Sequence, residues 1–221
     1  MLTALDKCNK CKIIKNRGWI LRKDARHLIL ENPKYGSVQV VANCNKNKFF
    51  DQIIYIEPPG AAAVVLVDKQ KGKIYLHTEW RPAVVKNKNY LFKKGKLKIN
   101  FKHLGRKSVE VPRGFSEGTS LSTIIKEVRE ETGFNIRKDK FKRIGEINSN
   151  TAFVVSNISV YVVKLRGIEN LPSIGREEAE KIKKRGWYSI NIVKKMIKKG
   201  EIFCAITLAA LNLVFQRLRD K

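Results

Sequence analysis

The spacing of hydrophobic positions changes along the 221-residue chain and divides it into regions. From Trp19 to Ile56, short apolar alternations (WILRK, HLILENPKYGSVQVVANCN, KFFDQIIYIE) are broken at Asn32–Pro33, Tyr35–Gly36 and Asn43–Asn47. Alternation with a period of two, cut by turn residues, predicts antiparallel strands in a small β subdomain. Pro58–Pro59–Gly60 marks a boundary. Ala61–Val67 then runs almost without a polar residue, which predicts a central strand buried on both faces. Asp68–Gly72 turns the chain, and Lys73–Glu79 (KIYLHTE) is expected to be its hairpin partner.

Further on, the segment between Pro82 and Glu110 is polar and basic, with an alternation around Lys93–Lys96 that suggests a hairpin or a long surface loop. Val109–Val111 reads as a short strand and Pro112–Gly118 as a glycine-punctuated loop. Ser120 or Ser122 is placed to cap a helix that runs to Thr132 and stops at Gly133. Phe141–Ile147 and the β-branched Ser156–Leu165 read as strands. Ile168–Glu180 is a polar loop, Trp187–Ile190 a last strand, and Ile192–Lys199 and Glu201–Arg219 helices. Strands alternating with helices in this order predict an α/β or α+β layered sandwich. The expected division is a β subdomain over 1–57 and a second domain over 58–221, with a basic insertion at about 83–108.

Composition describes a globular chain, with 43% hydrophobic and 30% charged residues. The 46 Lys and Arg against 20 Asp and Glu leave a formal net charge of +26. Such a chain attracts polyanions, although lysines spread over the whole length equally suit a lysine-biased proteome. Met1–Cys11 lacks the apolar core of a secretory signal, and Ile202–Phe215 is too short to span a membrane. A cytoplasmic location with no membrane partner is expected. Four cysteines do not make a disulfide framework at this length. Cys8 and Cys11 have the spacing of half a zinc site, to which Cys44 and His27 are the available additions, but free thiols are the simpler reading.

Against the basic background, Lys126–Phe134 (KEVREETGF) carries three carboxylates, Glu127, Glu130 and Glu131. On a helix, residues three and four apart share a face, so Glu127 neighbours both others. Like charges crowded there destabilise the helix unless a cation sits among them. A divalent ion with oxygen ligands is one answer, and a solvated face with Glu/Lys pairing is the other.

These nine residues resemble the helical half of the Nudix hydrolase signature, Arg-Glu-apolar-x-Glu-Glu-x-Gly-apolar, and depart from it only at Lys126. PGAAAVVLV at Pro59–Val67, EWRP at Glu79–Pro82, VPRGF at Val111–Phe115 and KMIKKGEIFCAITLAA at Lys195–Ala210 resemble segments of the ADP-ribose pyrophosphatase branch in the same order. The resemblance implies a Nudix-type α/β/α sandwich with a mixed sheet. It implies hydrolysis of the pyrophosphate of ADP-ribose, or a related nucleoside diphosphate derivative, to AMP and ribose 5-phosphate. Mg²⁺ or Mn²⁺ would be held by Glu127 and Glu131, with Glu130 as a further ligand and the carbonyl of Arg113 completing the set beside Gly114. Arg81 would bind substrate phosphates. The base would be Glu177 or Glu178, with Glu180 behind them. The branch further implies a homodimer joined through residues 19–57.

Two departures bear on rate. Lys126 offers a single point charge where the family's Arg offers a planar fork. The loop of eleven residues between Gly114 and Lys126 is also shorter than the family's. Two other functions share the fold: a pyrophosphohydrolase of RNA 5′ ends that uses the basic insertion, and a non-catalytic module binding nucleic acid or nucleotide.

Overall fold

The computed structural model describes residues 20–23, 27–32, 36–45, 48–85, 92–93, 96–97, 104–116, 118–149, 154–166 and 184–219. The chain forms two compact units. The first gathers the N-terminal stretch to Ala62 with Gly114–Thr123 and Glu146–Ser159. In it, Ile20–Lys23 (β1), His27–Asn32 (β2), Gly36–Asn45 (β3) and Lys48–Ile56 (β4) form an antiparallel meander. The short strand Val154–Val155 (β12) adds to β4 in parallel, so the sheet order is β1-β2-β3-β4-β12. Period-two alternation along these segments leads to this arrangement.

The second unit is built on a mixed seven-stranded sheet. Its main path uses Ala62–Asp68 (β5), Lys73–Val85 (β6), Phe141–Ile147 (β11), Ile158–Leu165 (β13) and Lys184–Ser189 (β14), in the order β11-β13-β5-β6-β14. Leu104–Glu110 (β9) joins β6, and Arg113–Gly114 (β10) joins β5. Every residue of β5 is buried, as its unbroken apolar run predicts. Strand β6 outruns the expected Lys73–Glu79 by six residues because β9 pairs its far half from His77 to Val85. Phe92–Lys93 (β7) and Lys96–Leu97 (β8) pair as the small hairpin expected in the basic segment.

Among the described residues, three α-helices complete this layout: Ser120–Thr132 (α1), Ile190–Lys198 (α2) and Ala205–Arg219 (α3). Helix α1 is capped one residue before the expected serines. The Thr119 hydroxyl accepts from the Ser122 amide at 3.2 Å, and the Thr119 carbonyl accepts from the Thr123 amide at 3.0 Å. Thr119→Ala is expected to cost about 1 kcal/mol of stability by urea unfolding, the usual loss for a Thr cap. Gly133, at φ 77°, ends the helix in the left-handed region, as its position predicts. Helix α2 starts two residues earlier than expected because the Ser189 side chain accepts from the Ile192 amide at 3.3 Å. Helix α3 starts later, at Ala205, because the left-handed Gly200 and the bond from the Glu201 amide to the Met196 carbonyl close α2 first.

One glycine in β9 is sterically obligatory. Gly105 has φ 92°, and a Cβ there would stand 2.0 Å from Cζ2 of the Trp80 indole. Gly105→Ala is therefore expected to lower stability by about 1–3 kcal/mol, through left-handed strain and displacement of the ring. Replacing Trp80 by Ala in the same chain should recover the steric part alone. Equal losses with and without the indole would show that the ring does not constrain this position.

Candidate active site

The site is assembled on one face of β6. Alternation along the strand places Tyr75, His77, Glu79 and Arg81 on the same side of the sheet. In the antiparallel pairing with β9, His77 lies opposite Glu110, Glu79 opposite Ser108 and Arg81 opposite Arg106. Strand β14 sets Trp187 opposite Tyr75. Those two rings meet edge to face at 5.6 Å, and Phe134 packs against both, at 5.7 Å from Tyr75 and 6.2 Å from Trp187. Phe134 follows the end of α1, so this aromatic cluster moors the C-terminal end of the helix over β6.

That mooring decides which glutamate turns inward. Ile124, Val128 and Glu131 fall at i, i+4 and i+7, the buried stripe of α1, and Glu131 is only 2% exposed. Its Oε2 accepts from the Arg113 amide at 3.2 Å, and its Oε1 lies 3.9 Å from Nε2 of His77. The same His77 nitrogen is 3.9 Å from Oε2 of Glu79. Ligand atoms of His77, Glu79 and Glu131 all fall within 4.8 Å of one another, the set that converges among the described residues. Glu127 and Glu130 do not belong to it. Both are half-buried, and Glu130 pairs with Lys126 at 3.3 Å across one helical turn.

Beside this set runs a chain of ion pairs. Arg81 binds Glu110 through two parallel bonds, Nε to Oε1 at 3.1 Å and Nη2 to Oε2 at 2.8 Å. Its Nη2 also lies 2.6 Å from Oε2 of Glu79. Arg113 donates from Nε to Oε2 of Glu110 at 2.7 Å. Glu110 is 1% exposed. Burial alone would raise its pKa, but the Arg81 bond and the charges of Arg113 and Arg81 outweigh that and hold it down to about 2. For Arg81, burial works against the charge. The bond and charge of Glu110, with the charges of Glu79 and Glu131, more than compensate and raise the guanidinium above its ordinary pKa.

Of the residues expected at the site, Arg81, Arg113 and Glu131 are brought together here, and Glu127 and Glu130 lie along the same helix. Gly114 follows Arg113 in the two-residue β10. Glu177, Glu178 and Glu180 lie outside the described residues, as do Cys8 and Cys11. His77 and Glu110 were not among the residues singled out, and Glu79 figured only as the start of EWRP. The signal for them was present. A strand reading Tyr-x-His-x-Glu-x-Arg sets one polar face, and a lone carboxylate between Val109 and Val111 is buried and must be paired.

No family model matches the chain, and no curated protein matches it. Among solved structures, one described as an ADP compounds hydrolase superposes with a TM-score of 0.60 at 13% identity, over 91% of this chain and 95% of that one. The fold is Nudix-like. The helix that carries KEVREET is α1, and its last glutamate is the one the core turns inward. Among the described residues, no helix is long and apolar enough to cross a membrane.

Proposed function

We propose that this protein is a Nudix-type hydrolase that cleaves the pyrophosphate bond of ADP-ribose or a related nucleoside diphosphate derivative. The observation that carries the reading is the position of Glu131. It is buried at the end of the signature helix, bonded to the Arg113 amide, and close enough to Arg81 to act on its charge. The solved structure of similar fold is described as acting on ADP compounds, which supports the substrate class.

The donor set suits Mg²⁺ or Mn²⁺. Glu127, Glu130 and Glu131 are oxygen donors on one helix, the Arg113 amide donates to Glu131, and the Arg113 carbonyl would complete the set. When bound, the ion supplies Lewis-acid polarisation of the phosphate oxygens. Arg81 and Arg113 hold the diphosphate. Glu110 takes Nε and one Nη2 bond of Arg81 and leaves its Nη1 edge for a phosphate oxygen. Water attacks one phosphorus, and the bridging P–O bond breaks with its electron pair passing to the departing phosphate. The proton released by the water goes to Glu177 or Glu178. AMP and ribose 5-phosphate leave as products.

The test is release of AMP from ADP-ribose in the presence of Mg²⁺, followed by chromatography. Equal amounts of AMP and ribose 5-phosphate are expected, and no turnover of ADP-ribose or of other nucleoside diphosphate sugars removes the reading. We also propose a homodimer contact in the strands between about 19 and 57, since β1 is the terminal strand of its sheet among the described residues. Light scattering at micromolar concentration should return twice the chain mass of 25.4 kDa, and a monomer mass would remove the contact.

A further inference from the structure

His77 is an unusual neighbour for a helix of magnesium-type carboxylates. Mg²⁺ takes oxygen ligands, whereas an imidazole nitrogen suits zinc and the later first-row metals. The ring is 1% exposed, sits at the centre of the β6 face, and turns Nε2 toward two carboxylates at once. Both separations of 3.9 Å exceed hydrogen-bond length. They are about half an ångström wider than the roughly 3.4 Å between two ligands on a tetrahedral zinc. A modest closing of the side chains would bring all three onto one ion.

We propose that His77 Nε2 and the carboxylates of Glu79 and Glu131 form a cation site for a divalent transition metal of the zinc class. Three further features support it. Ser108, directly across from Glu79 on the same sheet face, is 1% exposed, and its hydroxyl has no hydrogen-bond partner among the described residues. A water on the metal's fourth position would satisfy it. The Arg113 amide holds Oε2 of Glu131 and leaves its Oε1 facing His77, as outer partners commonly orient metal ligands, while Arg81 is charge-paired with Glu79. The local charge also has the right sign. Glu79, Glu110 and Glu131 against Arg81 and Arg113 leave one negative charge in a chain of net +26. The site shares Glu131 with the proposed catalytic set, but its argument rests on geometry and not on the hydrolase reading.

The chain has three histidines, His27, His77 and His103, so ¹⁵N-histidine NMR of the full-length protein can follow His77 directly. His27→Asn and His103→Asn variants assign its signals by elimination and leave the site untouched. Titration with Zn²⁺ alone is expected to shift the His77 Nε2 resonance to saturation at one equivalent bound there, while millimolar Mg²⁺ leaves that nitrogen in place. Zinc held by cysteines would leave this resonance unmoved. Glu79→Gln should weaken the zinc-induced shift by about tenfold or more. A His77 signal that does not respond to Zn²⁺ in the parent protein overturns the proposal, as does an equal response in the Glu79→Gln protein. Neither outcome depends on whether ADP-ribose is hydrolysed.

Discussion

Glu131→Gln is expected to lower kcat/KM for ADP-ribose by roughly a thousandfold, with little change in the unfolding midpoint. The amide keeps the shape of the side chain and can still accept the Arg113 amide bond, now 3.2 Å to Oε2. What it loses is the negative charge that an ion needs. Metal-based stabilisation of a phosphoryl-transfer transition state is worth several kcal/mol, and every 1.4 kcal/mol or so is a factor of ten in rate. Glu130→Gln provides the contrast. That residue is turned partly to solvent and paired with Lys126 at 3.3 Å, so its loss is expected to cost about tenfold. Steady-state kinetics on both variants separate the two roles. If Glu131→Gln and Glu130→Gln fall equally, the inward turn of Glu131 is not what places it at the reacting centre. If neither falls, α1 carries no catalytic ion.

The layout of strands and helices was legible because its signals are local. The apolar run of β5, the alternation in β2 to β4 and the glycine at 133 each act within a few residues. Boundaries moved where a side chain captured a backbone amide, as Thr119 and Ser189 do, since several neighbouring residues have that chemistry. The candidate site was only half legible. The spacing of Glu127, Glu130 and Glu131 identifies a face of α1, but it does not say which member the core takes. That depends on Ile124 and Val128 packing inward and on Phe134 stacking with Tyr75 and Trp187, contacts made over more than fifty residues of chain. His77, Glu79, Glu110 and Arg81 converge through the β6–β9 register, and the basic segment between those strands gives no hint of it. Long-range register, not residue type, hid the carboxylate that organises both arginines.

That carboxylate should be the most costly polar residue in the second unit to neutralise. Glu110→Gln is expected to destabilise the protein by about 3 kcal/mol near neutral pH, because two guanidinium groups packed against a 1% exposed side chain lose their counter-charge. The pH dependence identifies the cause. Glu110 has its pKa depressed from 4.5 to about 2 in the folded chain. A depressed carboxylate contributes stability that is fully present above its unfolded pKa and is lost as pH falls through the folded one. The window is therefore about pH 4.5 down to about 2, and the shift corresponds to on the order of 3 kcal/mol. Urea unfolding of parent and variant should differ most at pH 6, and the difference should shrink by about 2 kcal/mol by pH 3, where the unfolded chain's carboxyl is already protonated. Glu110→Ala would add a packing loss that does not vary with pH. A parent–variant gap that stays constant from pH 6 to pH 3 would mean that Glu110 acts through shape alone, and that the pairing of Arg81 and Arg113 does not depend on its charge.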